Sequence, residues 1–277
     1  MNRVQCNSRQ SGFTLVELLV ALGIFLVITG SAFTLLGTSQ QRFQTDSQVL
    51  TSFQEARLGL DQIVRDVNDS GYPPPTFNSG LPNLFASTPF AWSPGYTATS
   101  CQIGTSGGGT CTTPGDFDII IETNPNPQDP TCVPSCRVQW IRYTLPPGTT
   151  TLMRGVVYKT AGDDPAADTS APGVLVPFVQ NVVNNVCPAT IPTCQTAYPN
   201  IFLGGNPVPV FSYNCDTPTA PQPPPTLCSS IVADNSPVNI RDVTVTLIVA
   251  APLPDATTGQ PRVVMLNGRG RRINPNQ

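Results

Sequence analysis

Phe13–Leu36 reads FTLVELLVALGIFLVITGSAFTLL: 24 residues, 17 of them apolar, with a single charge at Glu17. As a helix the stretch measures about 36 Å at 1.5 Å per residue, enough to cross the ~30 Å hydrocarbon core with some tilt. Residues 1–12 (MNRVQCNSRQSG) are polar and carry Arg3 and Arg9 with no acid. Those arginines predict an N-terminus in the cytoplasm and everything after Leu36 on the far side. A cleaved secretory signal has a shorter apolar stretch closed by a small-residue site. Here the nearest small cluster, Gly30-Ser31-Ala32, lies inside the run. Glu17 is the anomaly. A carboxylate five residues into an apolar span is costly unless it is paired, protonated, or close enough to the helix start to reach the headgroups.

The string Gly12-Phe13-Thr14-Leu15-Val16-Glu17 resembles the class III signal of type IV prepilins and pseudopilins, a short basic leader ending in Gly and followed by F-T-L-x-E. The resemblance implies that a membrane peptidase cuts between Gly12 and Phe13 and methylates Phe13, leaving the hydrophobic helix on the mature chain. It also implies that the Glu17 carboxylate pairs with the N-terminal amine of a neighbouring subunit in a filament. A buried charge that is tolerable only beside its partner specifies register. Thr34 stands where major pilins usually carry a helix-breaking proline, which points away from an abundant shaft subunit.

Beyond the span, Val49, Phe53, Ala56, Leu60, Ile63 and Val67 recur at spacings of 4, 3, 4, 3 and 4, a one-sided stripe at helical period. Arg57/Asp61 and Asp61/Arg65 are four apart on the polar side. Ser70-Gly71-Tyr72-Pro73-Pro74-Pro75 predicts the stop, giving one helix over about 13–70. After Pro75 come short β-type runs in Pro/Gly/Thr/Asn-rich loops: 116–123, 138–145, 151–160, 173–186, 208–213, and a hairpin of 241–250 with 262–267. Val243, Val245, Leu247 and Val249 alternate with Asp242, Thr244 and Thr246, predicting one buried and one wet face. The class is α+β, a long helix packed on an antiparallel sheet with disulfide-tied loops. Four parts follow: a leader (1–12), an apolar helix half (13–37), an amphipathic helix half (38–72) and a β-rich extracytoplasmic head (73–277).

This order resembles the PilW family of minor pilins and the J-type pseudopilins of type II secretion. The points of contact are Arg65-Asp66 with Gly71-Tyr72, a D-x-I strand, an aromatic strand leading to Leu152-Met153-Arg154, Val179–Val183 before Phe211 and Tyr213, and the final hairpin.

Histidine is absent and charged residues make up 11% of the chain, which removes imidazole chemistry and His-ligated metal. Net charge is −3 with one lysine, against a basic nucleic-acid face. Of nine cysteines, Cys6 lies in the leader, so cleavage leaves an even set. These form four local couples, read as Cys101–Cys111, Cys132–Cys136, Cys187–Cys194 and Cys215–Cys228. Eight cysteines allow 105 pairings, and thiolate metal binding competes, although no C-x-x-C occurs. Gly104–Thr110 lacks the G-K-[ST] ending of a phosphate loop. Asp163, Asp164 and Asp168 match no EF-hand spacing. Pro218–Pro225 reads as a polyproline-type loop, and Arg269, Arg271 and Arg272 read as a solvated basic tail.

The expectation is a non-enzymatic minor pilin or pseudopilin without cofactor or metal, initiating assembly at or near a filament tip. Its partners would be other pilins, prepilin peptidase and the inner-membrane assembly platform, with no nucleic acid expected. It would sit in the inner membrane, head outward, before joining a surface pilus or periplasmic pseudopilus. The rival is a periplasm-facing binding, adhesin or enzyme domain on a plain signal anchor.

Overall fold

The computed structural model describes residues 12–74, 84–92, 103, 114–124, 137–160, 162, 164–187, 194–202, 207–216, 226–228, 237–255 and 258–272. The chain divides into two compact units, Met1–Ser47 and Gln48–Gln277. A single helix, α1 (Leu15–Asn68, 54 residues), runs from the first into the second.

In the first unit the apolar side chains stand exposed: Leu15, Leu19, Ile24, Phe25, Ile28, Phe33 and Leu36 are among them. The span is long and apolar enough to cross a membrane. Three of its hydroxyls suit that medium because they are spent on the helix's own backbone. Ser31 Oγ donates to Ile28 O (2.8 Å), Thr34 Oγ1 to Ser31 O (2.7 Å) and Thr38 Oγ1 to Leu35 O (2.9 Å).

In the second unit the outer part of α1 buries Val49, Ala56, Leu60, Ile63 and Val67, the stripe expected from the sequence, while Phe53 stays half-buried. After Asn68 the chain turns through Gly71 at φ 80°, a left-handed conformation that glycine adopts without strain, and the Gly71 N–H donates to Glu122 O (2.8 Å).

Two antiparallel sheets follow where the sequence suggested one. The first runs β1-β2-β3-β4-β5: Phe90–Ala91, Asp118–Thr123, Gln139–Thr144, Leu152–Tyr158 and Val176–Val179. The second runs β7-β6-β8-β9: Thr226–Leu227, Phe211–Cys215, Ile240–Pro254 and Pro261–Arg271. Short helices α2 (Pro165–Thr169) and α3 (Cys194–Ala197) complete the elements used here.

Strand alternation sorts the core. Ile119 and Ile121 join Ile141, Tyr143, Leu152 and Val179 against α1, whereas Ile120 faces the other way with Trp140 and Ala166. Val243, Val245, Leu247 and Val249 of β8 enter the same main core from the second sheet. Two glycines of β9 let the helix approach: a Cβ on Gly268 would lie 2.8 Å from Val64 Cγ2, and one on Gly270 2.5 Å from Val67 Cγ1.

The segment after β5 stitches the sheets together. Asn181 takes φ 59°, after which Val182 bridges Val249 and the Val183 N–H donates to Ile248 O (2.8 Å). Asn184 then acts as a strand substitute: its Nδ2 donates to Thr246 O (2.9 Å) and its Oδ1 accepts from the Ile248 N–H (2.8 Å). A buried amide that fills ladder positions is satisfied where a gap in the sheet would leave backbone groups unpaired.

The sequence predicts a wet face on β8, but Asp242, Ile248 and Ala250 on that side are buried, the last two in a cluster with Val183, Cys194 and Phe202. Asp242 is buried, covered by Arg269 (Nη2 to Oδ2, 2.6 Å) and Arg271 (Nε to Oδ1, 3.8 Å). The basic cluster expected as a solvated tail is therefore strand β9 and its end. Arg272, also buried, donates from Nη1 to Val238 O (2.8 Å). Arg269 and Arg271 reach Asp242 while keeping more than half of each side chain exposed, and only Arg272 is enclosed.

Candidate functional site

Gly12, Phe13 and Thr14 precede the first helical residue, and Phe13 is 89% exposed. The expected cut between Gly12 and Phe13 thus falls in open backbone just ahead of the helix. Thr14 occupies the N-cap position, and Glu17 stands three residues on. The Thr14 N–H donates to Glu17 Oε2 (2.9 Å), as does Thr14 Oγ1 (2.9 Å), while the Glu17 N–H donates back to Thr14 Oγ1 (3.3 Å). This is a capping box. It satisfies two orphan donors of the helix start and places a carboxylate at the positive end of the helix.

The sequence reading dwelt on the charge of Glu17 and missed this local partner. The signal was present, because Thr-x-x-Glu before an apolar run is the pattern that announces such a cap. One chain therefore already supplies the Glu17 carboxylate with hydrogen bonds. The expected pairing with a neighbour's amine would add to this arrangement and is not required to form it.

In the head, two groups of buried charge hold elements in place. Asp66 near the end of α1 accepts from Tyr143 Oη (2.6 Å), Gln62 Nε2 (2.8 Å) and Arg154 Nη2 (3.3 Å). Arg154 Nε also donates to Tyr143 Oη (2.9 Å), and the guanidinium lies over the Tyr143 ring at 5.6 Å. Burial, then the neighbouring Asp66 carboxylate, pushes the Tyr143 phenol far above its ordinary range. Arg65-Asp66 and Leu152-Met153-Arg154, separate points of the family resemblance, thus meet in space through Asp66 and Arg154. The contact ties helix to sheet.

The second group centres on Lys159, the chain's sole lysine, which lies fully buried against Glu122. Its Nζ donates to Glu122 Oε1, to Ser87 Oγ (2.7 Å) and to Phe85 O (3.0 Å), and the Ser87 N–H donates to Glu122 Oε1 (2.7 Å). The cluster pins residues 85–87 onto the first sheet. No sequence signal marked it, because its members meet only through tertiary packing.

Cys187–Cys194 and Cys215–Cys228 are disulfides, with Cα separations of 5.6 and 4.9 Å. Cys101, Cys111, Cys132 and Cys136, the Gly104–Thr110 loop, Pro218–Pro225 and Asp163 lie outside the described residues. Asp164 caps α2, accepting from the Ala166 N–H (2.9 Å), and so has a structural use. Among the described residues no cluster of metal-ligating side chains occurs.

Neither a curated protein nor a solved structure matches the chain. Residues 7–36 match the prokaryotic N-terminal methylation motif, spanning the end of the leader, the capping box and the apolar half of the helix. That match marks a type IV prepilin-like signal, and it indicates a pilin-like protein that prepilin peptidase processes.

Proposed function

We propose that the chain is a minor pilin or pseudopilin of the PilW or J-type kind, a structural subunit that helps start a filament at or near its tip. Prepilin peptidase removes residues 1–12 and methylates Phe13. The apolar half of α1 holds the subunit in the inner membrane with its head outside, and then packs among the helices of other pilins on the assembly platform. The protein carries no chemistry of its own. One observation carries the reading: Gly12 and Phe13 stand exposed ahead of the helix, and Glu17 is fixed in its first turn within the matched motif. The absence of proline at Thr34 and the large, disulfide-tied head favour the tip over the shaft.

The test is intact and N-terminal peptide mass spectrometry of the protein from membranes that contain prepilin peptidase. The expected mature end is N-methylated Phe13. Retention of Met1, or a cut at Gly30–Ala32, refutes the reading in favour of a plain anchor. Replacing Glu17 with Ala should leave processing intact and lower recovery in sheared filaments, whereas a bulky residue at Gly12 should block processing.

A further inference from the structure

We propose that β9 is an acceptor edge, whose outer side takes an extended acidic strand from a partner protein as a fifth strand of the second sheet. The inference concerns the head alone and does not depend on the filament reading. β9 ends the strand order β7-β6-β8-β9. Two hydrogen bonds fix which way its backbone groups point. The Arg272 N–H donates to Arg241 O (3.1 Å), toward β8, and the Arg271 N–H donates away from β8 to Asn68 Oδ1 (2.8 Å). Alternation along an antiparallel strand then turns the N–H and C=O of Val263, Met265, Asn267 and Arg269 outward. Among the described residues nothing hydrogen-bonds to those groups. They span roughly 20 Å of open edge at ~3.4 Å per residue.

Proteins ordinarily guard such edges. The other three edge strands here are guarded: β1 and β7 have two residues each, and β5 has four with Pro177 among them. β9 has eleven, with no proline after Pro261, and the one register shift against β8 lies at Ala250/Pro254 near its start. Its retention as a long, regular edge is what points to a partner.

The side chains choose the partner's chemistry. Val263–Leu266 is apolar, and Arg269 and Arg271, which share one face of the strand by alternation, follow it with more than half of each side chain exposed. Those two guanidinium groups share the single carboxylate of Asp242. A strand alternating apolar and acidic residues can set its carboxylates beside Arg269 and Arg271 on one face and its apolar side chains beside Val264 and Leu266 on the other, whereas a second copy of β9 brings no acidic residue to them.

The full chain in detergent micelles is titrated with a blocked octapeptide of alternating valine and glutamate. A lysine-for-glutamate version and a version with proline at every valine serve as comparisons. The acidic peptide should bind, and amide exchange at Val263, Met265, Asn267 and Arg269 should slow by at least about tenfold, with the lysine and proline peptides inert. Met265→Pro, which deletes one outward donor, should weaken binding by about tenfold or more, while Met265→Thr keeps it. No slowing at those four amides in the unaltered protein overturns the proposal, whether or not Met265→Pro folds. Equal binding of the lysine peptide overturns it too. Slowing that depends on protein concentration alone assigns the edge to a second copy and equally overturns it.

Discussion

Removing the Lys159 ammonium should cost far more than removing the whole ion pair. Both side chains are fully buried. Burial pushes the Glu122 carboxyl above its ordinary range and the Lys159 amine below its own, in each case against the attraction of the partner. Desolvation therefore outweighs the pairing, and the pair holds by mutual support inside a low-dielectric site. Lys159→Met leaves Glu122 without its cation, while the Ser87 N–H still donates to Oε1. Loss of one member of a buried pair costs about 3–5 kcal/mol. For a unit of this size that corresponds to roughly 6–20 °C in Tm. Glu122→Gln with Lys159→Met exchanges two charges for an amide and a thioether of similar bulk, and should recover most of the loss. The pH dependence has a definite sign. In the single variant the Glu122 carboxyl lies still further above its unfolded value of about 4.3, so the folded state binds the extra proton. That contribution is fully present below the unfolded value and fades as pH rises through the folded one. The variant's deficit should thus be largest at neutral pH and shrink on acidification. Denaturant unfolding of both variants, followed by circular dichroism at several pH values, measures it. A single-variant cost below about 1 kcal/mol, or a double variant no better than the single, refutes the reasoning.

Three further outcomes are expected. Gly270→Ala places a Cβ where Val67 Cγ1 is 2.5 Å and Val64 O 3.2 Å away, so it should cost about 1–3 kcal/mol, and Val67→Ala in the same chain should return part of it in unfolding assays. Tyr143 and Tyr213, both held above the ordinary phenol range chiefly by burial, should show no phenolate absorbance until the head unfolds in alkali. Their contribution to stability is intact below about pH 10 and is lost as pH rises beyond it. Arg154→Met strips Asp66 of its cation while leaving the Tyr143 and Gln62 donors, and should cost about 1.5–3 kcal/mol in the same assay, with Arg154→Lys restoring part of it.

Periodicity carried the fold because burial has a period. The α1 stripe of Ala56, Leu60, Ile63 and Val67 and the β8 alternation of Val243, Val245, Leu247 and Val249 are local records of a face turned inward, and both meet in the main core. The division into two sheets left no such record. It depends on Asn181 turning the chain at φ 59° and on Asn184 supplying hydrogen bonds that a strand would otherwise supply, and an asparagine in a loop reads the same whether or not it does this. Asp242 shows the limit from the other side. Alternation assigned it correctly to the face away from the core, yet exposure depends on what crosses from β9, and Arg269 and Arg271 close over it.

Buried charge is illegible for the same reason at longer range: Glu122 and Lys159 are 37 residues apart, and nothing near either one announces the other. The N-terminal signal is the opposite case, since all of its contacts lie within Thr14–Glu17. There the local pattern holds two meanings at once. A carboxylate three residues after a threonine caps a helix in any protein, and at the head of an apolar span it also leaves a negative charge that water cannot solvate. Hydrogen bonds from Thr14 organise that charge without neutralising it. The cap therefore explains why the helix starts at Leu15, and under the function proposed above the charge it leaves unneutralised is the reason for a subunit to seek a cationic neighbour.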